Sequence, residues 1–270
     1  MSRFNRDFEL TVGPVTVRPP IRIVFNAVKS HSGGVNKLTL QVYNLKESNR
    51  QAIVKDVESS GVIPVLLRVG YQGSLQSVFQ GNILQGSNDR RGTDFISHIQ
   101  CLDGGHDYLN SFTSETVRGK ENAIDAILRD MPNTTKGKIT FQQELTRAKV
   151  LVGNSYRLIQ ESLSPGETAY IENEQLYIIK DDEVVSSFIP VVNADTGLLN
   201  TPQKENQRVS FETLMNPSII IGNRVDLRSK TAPYLSGIYK VSDITYSGDS
   251  RGQQWQQSVT CFARENYTVL

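Results

Sequence analysis

Cysteine is nearly absent: Cys101 and Cys261 are the only two among 270 residues. So few thiols exclude a disulfide scaffold and a cysteine-rich zinc module. An excess of charge of one sign is also lacking. The formal net charge of +1 argues against a strongly basic nucleic-acid binder and gives no support to electrostatic membrane attachment. No apolar run approaches the about 20 residues that a membrane span needs. The N-terminal MSRFNRDFEL has no apolar signal-peptide core, so folding in a cytoplasm is expected.

Signatures of chemistry are missing as well. The three histidines, His31, His98 and His106, are scattered, and neither HExxH nor a CxxC pair occurs. GxSxG, GxGxxG and GxxxxGKS/T are absent. His98 reads as an outward-facing surface histidine. Nothing singles out one carboxylate pair among the 28 acidic residues, and Asp181-Asp182-Glu183 reads as a solvated loop. Arg90-Arg91 and Arg228 with Lys230 are candidate phosphate contacts, but no basic stripe with aromatics accompanies them, so ordinary surface charge is the better reading. The expectation is no enzyme, no catalytic or metal residue and no cofactor.

What is present is β-pattern, strongest from Asn216 to Phe262. Ile219-Ile220-Ile221 stops at Gly222-Asn223. Val225 and Leu227 alternate with Asp226 and Arg228, and Tyr239, Val241 and Ile244 follow Gly237. After the turn Gly248-Asp249-Ser250-Arg251-Gly252 come Trp255, Val259 and Cys261. Alternation bounded by Gly and Asp clusters signals half-buried antiparallel strands.

This stretch has an echo about 160 positions upstream. Arg91-Gly92-Thr93-Asp94-Phe95 leading to Ile99 and Cys101 matches Arg251-Gly252-Gln253-Gln254-Trp255 leading to Val259 and Cys261. Leu66-Leu67-Arg68 loosely echoes Val225-Asp226-Leu227-Arg228, and Phe79–Ile83 loosely echoes Tyr239–Ile244. The two cysteines read as small buried strand residues, with a disulfide between them as the alternative. Trp255, the only tryptophan, is expected to anchor the second unit's core, with Phe95 in its place in the first.

In chain order, Phe8–Val12, Val15–Val17, Ile21–Phe25 and Leu38–Val42 alternate as strands. Ser48 could cap a short helix with Ile53, Val54 and Val57 on one face. Strands follow at 62–69, 78–84 and 93–101, the last two joined by the polar loop Gly86–Gly92. Then the pattern changes. Ile124, Ile127, Leu128 and Met131 recur at helical spacing up to Pro132, and Asn133–Gly137 reads as a loop. Glu144–Val152 and Ser155–Leu163 read as helical, and 169–178 as a hairpin. Asp195–Arg208 reads as a surface loop. The fold class is mainly β (α+β): a first antiparallel barrel over 1–105, an inserted helical and hairpin segment over 106–190, and a second barrel over 191–270.

Leu214-Met215-Asn216-Pro217-Ser218, Gly222, Gly237-Ile238-Tyr239-Lys240-Val241 and Gly248-Asp249-Ser250-Arg251-Gly252-Gln253-Gln254-Trp255 together resemble the C-terminal region of baseplate hub proteins of contractile-tailed phages. The Asp226-Leu227-Arg228 segment is less diagnostic of that family. The specific motif covers about 50 residues, and the remaining chain resembles the family more loosely. The resemblance implies two tail-tube-like barrels per chain and a homotrimer presenting six quasi-equivalent positions. It implies a tail tube protein or tube initiator on one face and a central spike protein on the other, with tape measure and baseplate wedge proteins as further partners. DNA would be only transient cargo through the lumen of a virion tail. Another tube-proximal adaptor or terminator, the hub of an injection machine, and a tail-associated cell-wall hydrolase are the alternatives.

Overall fold

The structure is a computed structural model and describes residues 5–32, 34–54, 61–141, 147–262 and 268–269. The chain opens with β1 (Arg6–Val12), β2 (Val15–Val17), β3 (Ile23–Ser30) and β4 (Lys37–Tyr43). Helix α1 (Glu47–Ala52) leads to β5 (Pro64–Tyr71), β6 (Ser74–Arg91) and β7 (Asp94–Leu102). The middle holds α2 (Gly105–Asn110), β8 (Phe112–Arg118), α3 (Lys120–Arg129), β9 (Thr135–Ile139), β10 (Ala148–Asn154), α4 (Ser155–Glu161), β11 (Glu167–Glu172), β12 (Gln175–Lys180) and β13 (Glu183–Val184). The last third supplies β14 (Val191–Val192), β15 (Gln203–Glu205), β16 (Arg208–Leu214), β17 (Arg224–Leu227), β18 (Gly237–Asp249), β19 (Trp255–Phe262) and β20 (Thr268–Val269).

The fold is mainly β and largely antiparallel. Thirteen strands form one sheet in the order β15-β16-β19-β18-β3-β4-β7-β6-β5-β1-β2, with β17 also on β18 and β14 on β17. Strands from both ends of the chain meet where β18 pairs with β3, from Asp243↔Ser30 to Asp249↔Val24. One apolar face is buried throughout. Leu38, Leu40 and Val42 of β4 point inward, as do Val209 and Phe211 of β16 and Val241, Ile244 and Tyr246 of β18. The alternation of period two is what allows this: each strand buries one row and leaves the next in solvent.

The middle segment has its own core. Ile124 and Ile127 of α3, Leu158 and Ile159 of α4, and Leu176 and Ile178 of β12 pack into a cluster separate from that of the large sheet. The i, i+3 pairs Ile124 with Ile127 and Tyr156 with Ile159 set those faces. Asn154 caps α4 by accepting from the Arg157 backbone N–H at 3.1 Å.

Several sequence expectations change. Residues 86–91 are not a loop: β6 runs to Arg91, leaving only the turn at Gly92, whose φ of 62° favours glycine. The segment 147–152 is not helical, because β10 pairs with β8; its β-branched Val150 and Val152 suit a pleated strand. Residues 144–146 of that expected helix, and Val57 of the earlier one, lie outside the described residues. Thr135–Ile139 is a strand on β12 rather than loop. Helix α1 is preceded by Lys46, with no side-chain cap from Ser48, and Val54 is exposed while Ile53 is buried. Ile219-Ile220-Ile221 lies outside any strand, with Ile219 and Ile221 buried in the core of the sheet. Residues 203–205 inside the expected surface loop form β15. Glu183 is buried and accepts from the Lys180 backbone N–H at 3.1 Å, so the acidic run is not wholly solvated.

Candidate assembly surface

The two hairpins β6–β7 and β18–β19 repeat in register as well as in sequence. Cys101 sits between Leu38 and Ile83; Cys261 sits between Val209 and Val241. In each hairpin a β-bulge follows at once. The register slips between Ile83 and Gln85 in one, and between Val241 and Asp243 in the other. A bulge adds one residue to one strand and bends it. The same defect beside the same residue type in both hairpins marks one structural unit used twice. It also explains why Ile83 corresponds to Val241, whereas the letters alone aligned Ile83 with Ile244. Both thiols are free and buried, and burial pushes each well above its ordinary range, so neither is poised for chemistry.

The aromatic positions of the repeat part company. Trp255 is buried and meets Phe25 edge to face at 5.5 Å. Its indole N–H donates to the Gly70 carbonyl at 3.2 Å. It therefore anchors the join between the two halves of the sheet. Phe95 is half-exposed, with the Arg50 and Arg90 guanidinium groups 4.0 and 5.3 Å from its ring centre. It does not replace Trp255 in a core.

The face of the sheet opposite the core carries a neutral polar row across its centre. One cross-strand row runs Gln256 on β19, Ser247 on β18, Asn26 on β3, Thr39 on β4, Gln100 on β7 and Gln85 on β6. Every member is neutral. The Asn26 amide donates to the Ser247 hydroxyl at 2.9 Å across the join. Lys37 and Arg208 stand at strand ends, and Arg208 pairs with Asp243 at 3.3 Å. His98 lies on this outward face, opposite Gln41 and Ser87.

A buried polar junction ties the middle segment to the sheet. Asp103, 1% exposed, accepts from the backbone N–H groups of Asn173 and Glu174, each at 2.7 Å, and from the Asn36 amide at 3.0 Å. Lys29, 2% exposed, reaches Glu172 at 2.5 Å. Burial, helped by the Glu172 charge, raises the Asp103 carboxyl to about 7. Nearby, His31 is buried with its ring centre 5.0 Å from that of Tyr170, and its Nε2 has no hydrogen-bond partner among the described residues. Burial, then the Lys240 charge, lowers it to about 3. Nothing in the sequence marked this junction, because Asp103, Glu172 and Lys29 are far apart in the chain.

The remaining residues flagged in the sequence do not converge. His106 is partly exposed beside Asp107 and Asn133. Arg91 pairs with Asp89 and Arg228 with Asp226, each two residues away, and Lys230 is exposed. Among the described residues no group of three or more His, Cys, Asp and Glu side chains is placed to hold a metal.

These features define a mainly β protein built around a repeated hairpin. The family model Baseplate hub gp41 matches residues 4–261, and the chain belongs to that family of phage tail baseplate components. No curated protein matches the sequence. Among solved structures, the fold is similar to the 43 kDa tail protein of prophage MuSo2 from Shewanella oneidensis, with a TM-score of 0.69 at 8% identity, covering 95% of this chain and 96% of that one. It is similar to a tail protein from Neisseria meningitidis MC58, with a TM-score of 0.69 at 9% identity over 98% and 100% of the two chains. It is also similar to the E. coli c3393 protein, a type VI secretion system component described as resembling the T4 tail proteins gp27 and gp5. That TM-score is 0.67 at 9% identity, over 96% of this chain and 78% of that one.

Proposed function

We propose that the chain is a non-enzymatic hub that assembles as a homotrimer, with residues 1–105 and 191–270 as two tube-like units and 106–190 inserted between them. Three chains with two units each give six quasi-equivalent positions, which suits a six-fold tail tube on one face and a three-fold spike on the other. The observation that carries this reading is the repeated hairpin: the same bulge beside the same buried cysteine, joined across β18–β3. The neutral row from Gln256 to Gln85 is the surface that faces the lumen. A passing duplex then meets hydroxyl and amide groups, and few cations that would hold phosphates.

Mass photometry of the purified chain tests the assembly. A species of three times 30.1 kDa is expected. A monomer at every concentration, including in the presence of tube protein, overturns the trimer.

A further inference from the structure

The two halves of the repeat differ in one respect, and the difference leaves an edge open. After its bulge, β18 is paired on both sides: Asp243–Asp249 bonds to β19 and to β3. The equivalent part of β6, Gln85–Arg91, bonds to β7, and among the described strands has no partner on its other side, because β5 ends its pairing at Asn82. Beyond the first position the burial differs as well. Tyr246 is buried, whereas Asn88 at the equivalent place is exposed, as is all of Ser87–Arg91.

The strand missing from that edge has an equivalent elsewhere in the chain. β3 reaches β18 from the outer side of β4, with Ala27 opposite Leu38. β15 lies on the outer side of β16, with Lys204 opposite Val209. Leu38 and Val209 are the same station of the repeat, since each faces a cysteine. β15 therefore occupies in the second unit the position of β3 in the first, and among the described strands it ends the sheet with its outer edge unpaired.

We propose that β15 of one chain pairs antiparallel with the Gln85–Arg91 edge of β6 in a second copy, repeating between chains the join that β3 and β18 make within one. This rests on the hub-trimer reading and assigns it an interface. Carrying the intrachain register across puts Ser87 opposite Glu205, as Thr245 is opposite Val28, and Asp89 opposite Gln203, as Ser247 is opposite Asn26. Both pairs are complementary. The Ser87 hydroxyl donates to the Glu205 carboxylate, and the Gln203 amide donates to Asp89, as the Asn26 amide does to Ser247. Pro202 would then face Arg90. Proline has no N–H to give, so the ladder ends there and is shorter than the intrachain join. Before assembly, the charges Asp89, Arg90, Arg91, Lys204 and Glu205 keep both edges from pairing indiscriminately.

Disulfide trapping tests the pairing. Ser250 donates to Ile23 and His31 to Ser242 across the join. That parity makes Thr245–Val28 and Ser247–Asn26 non-hydrogen-bonded pairs, whose Cα atoms stand about 4.5 Å apart. Disulfides accept that separation. The full chain carrying Ser87→Cys and Glu205→Cys, oxidised, is run on a non-reducing gel; the buried native thiols leave the single variants as controls. Covalent trimers with nothing larger, absent from both single variants, are expected. The pair Asp89→Cys with Gln203→Cys is expected to behave alike. Intact trimers by mass photometry with no cross-link in either pair overturn the edge pairing alone. A ladder extending beyond three chains keeps the pairing and overturns the closed trimer. Monomers with no cross-link overturn both.

Discussion

The indole N–H of Trp255 donates to the carbonyl of Gly70 at 3.2 Å, tying the second hairpin to a strand 185 residues earlier. This one bond, together with the edge-to-face contact of Trp255 on Phe25, locates the anchor beside the join of β18 with β3. Trp255→Ala is expected to cost about 3–5 kcal/mol in chemical denaturation, the usual loss for deleting a buried large aromatic. Phe95→Ala, at the matching place of the first hairpin, is expected to cost about 1 kcal/mol or less, since its ring stacks under arginines at the surface. Equal losses at the two positions would contradict the assignment.

The buried pair of Lys29 and Glu172 holds the middle segment to β3. Lys29→Met leaves Glu172 and Asp103 buried together without their cation. Breaking one partner of a buried pair typically costs about 3–5 kcal/mol. Denaturant unfolding of Lys29→Met is expected to show a loss of this size; a loss below about 1 kcal/mol would mean that the junction is not a structural tie.

His31 gives a pH dependence of known sign. Its folded-state value of about 3 lies below its ordinary 6.5. The unfolded chain therefore binds the proton first, and the stability that His31 contributes is present above about 6.5 and is lost as pH falls toward 3. Asp103 runs the other way. Its folded value of about 7 lies above its ordinary 3.8, so its contribution is full at low pH and is lost as pH rises through 7. The wild-type slope is the sum of the two. His31→Phe, which keeps a ring against Tyr170, is expected to lose less stability than wild type between pH 7 and pH 5, read as melting temperature. An unchanged difference would rule out His31 as the titrating group.

Much of the sheet was legible in the sequence, because period-two alternation survives in β1, β3, β4, β16 and β19. The repeat was legible too, since turn and cysteine positions are fixed by register. Other features were not. The tip of β6 looked like a loop because Ser87-Asn88-Asp89-Arg90-Arg91 has no buried row; among the described residues no strand pairs with its outer edge, so no apolar alternation is needed there. β10 looked helical because its Val150 and Val152 are exposed and only Leu151 is buried, which erases the strand signature. The Asp103 junction was invisible because tertiary proximity, not spacing, assembles it.

The neutral outward row predicts what cations would do there. Particles whose hub carries Asn26→Lys, Thr39→Lys and Gln100→Lys together are expected to eject DNA more slowly, with the delay relieved by added salt, since phosphate attraction is screened. Ejection at the wild-type rate would show that this face does not line the channel.

The central claim is a ring of six similar lobes made from three chains. Negative-stain imaging of the purified protein with two-dimensional averaging tests it most directly. Three-fold averages with six lobes around an open centre are expected. Compact single particles at every concentration, with no ring even when tube protein is added, would contradict it.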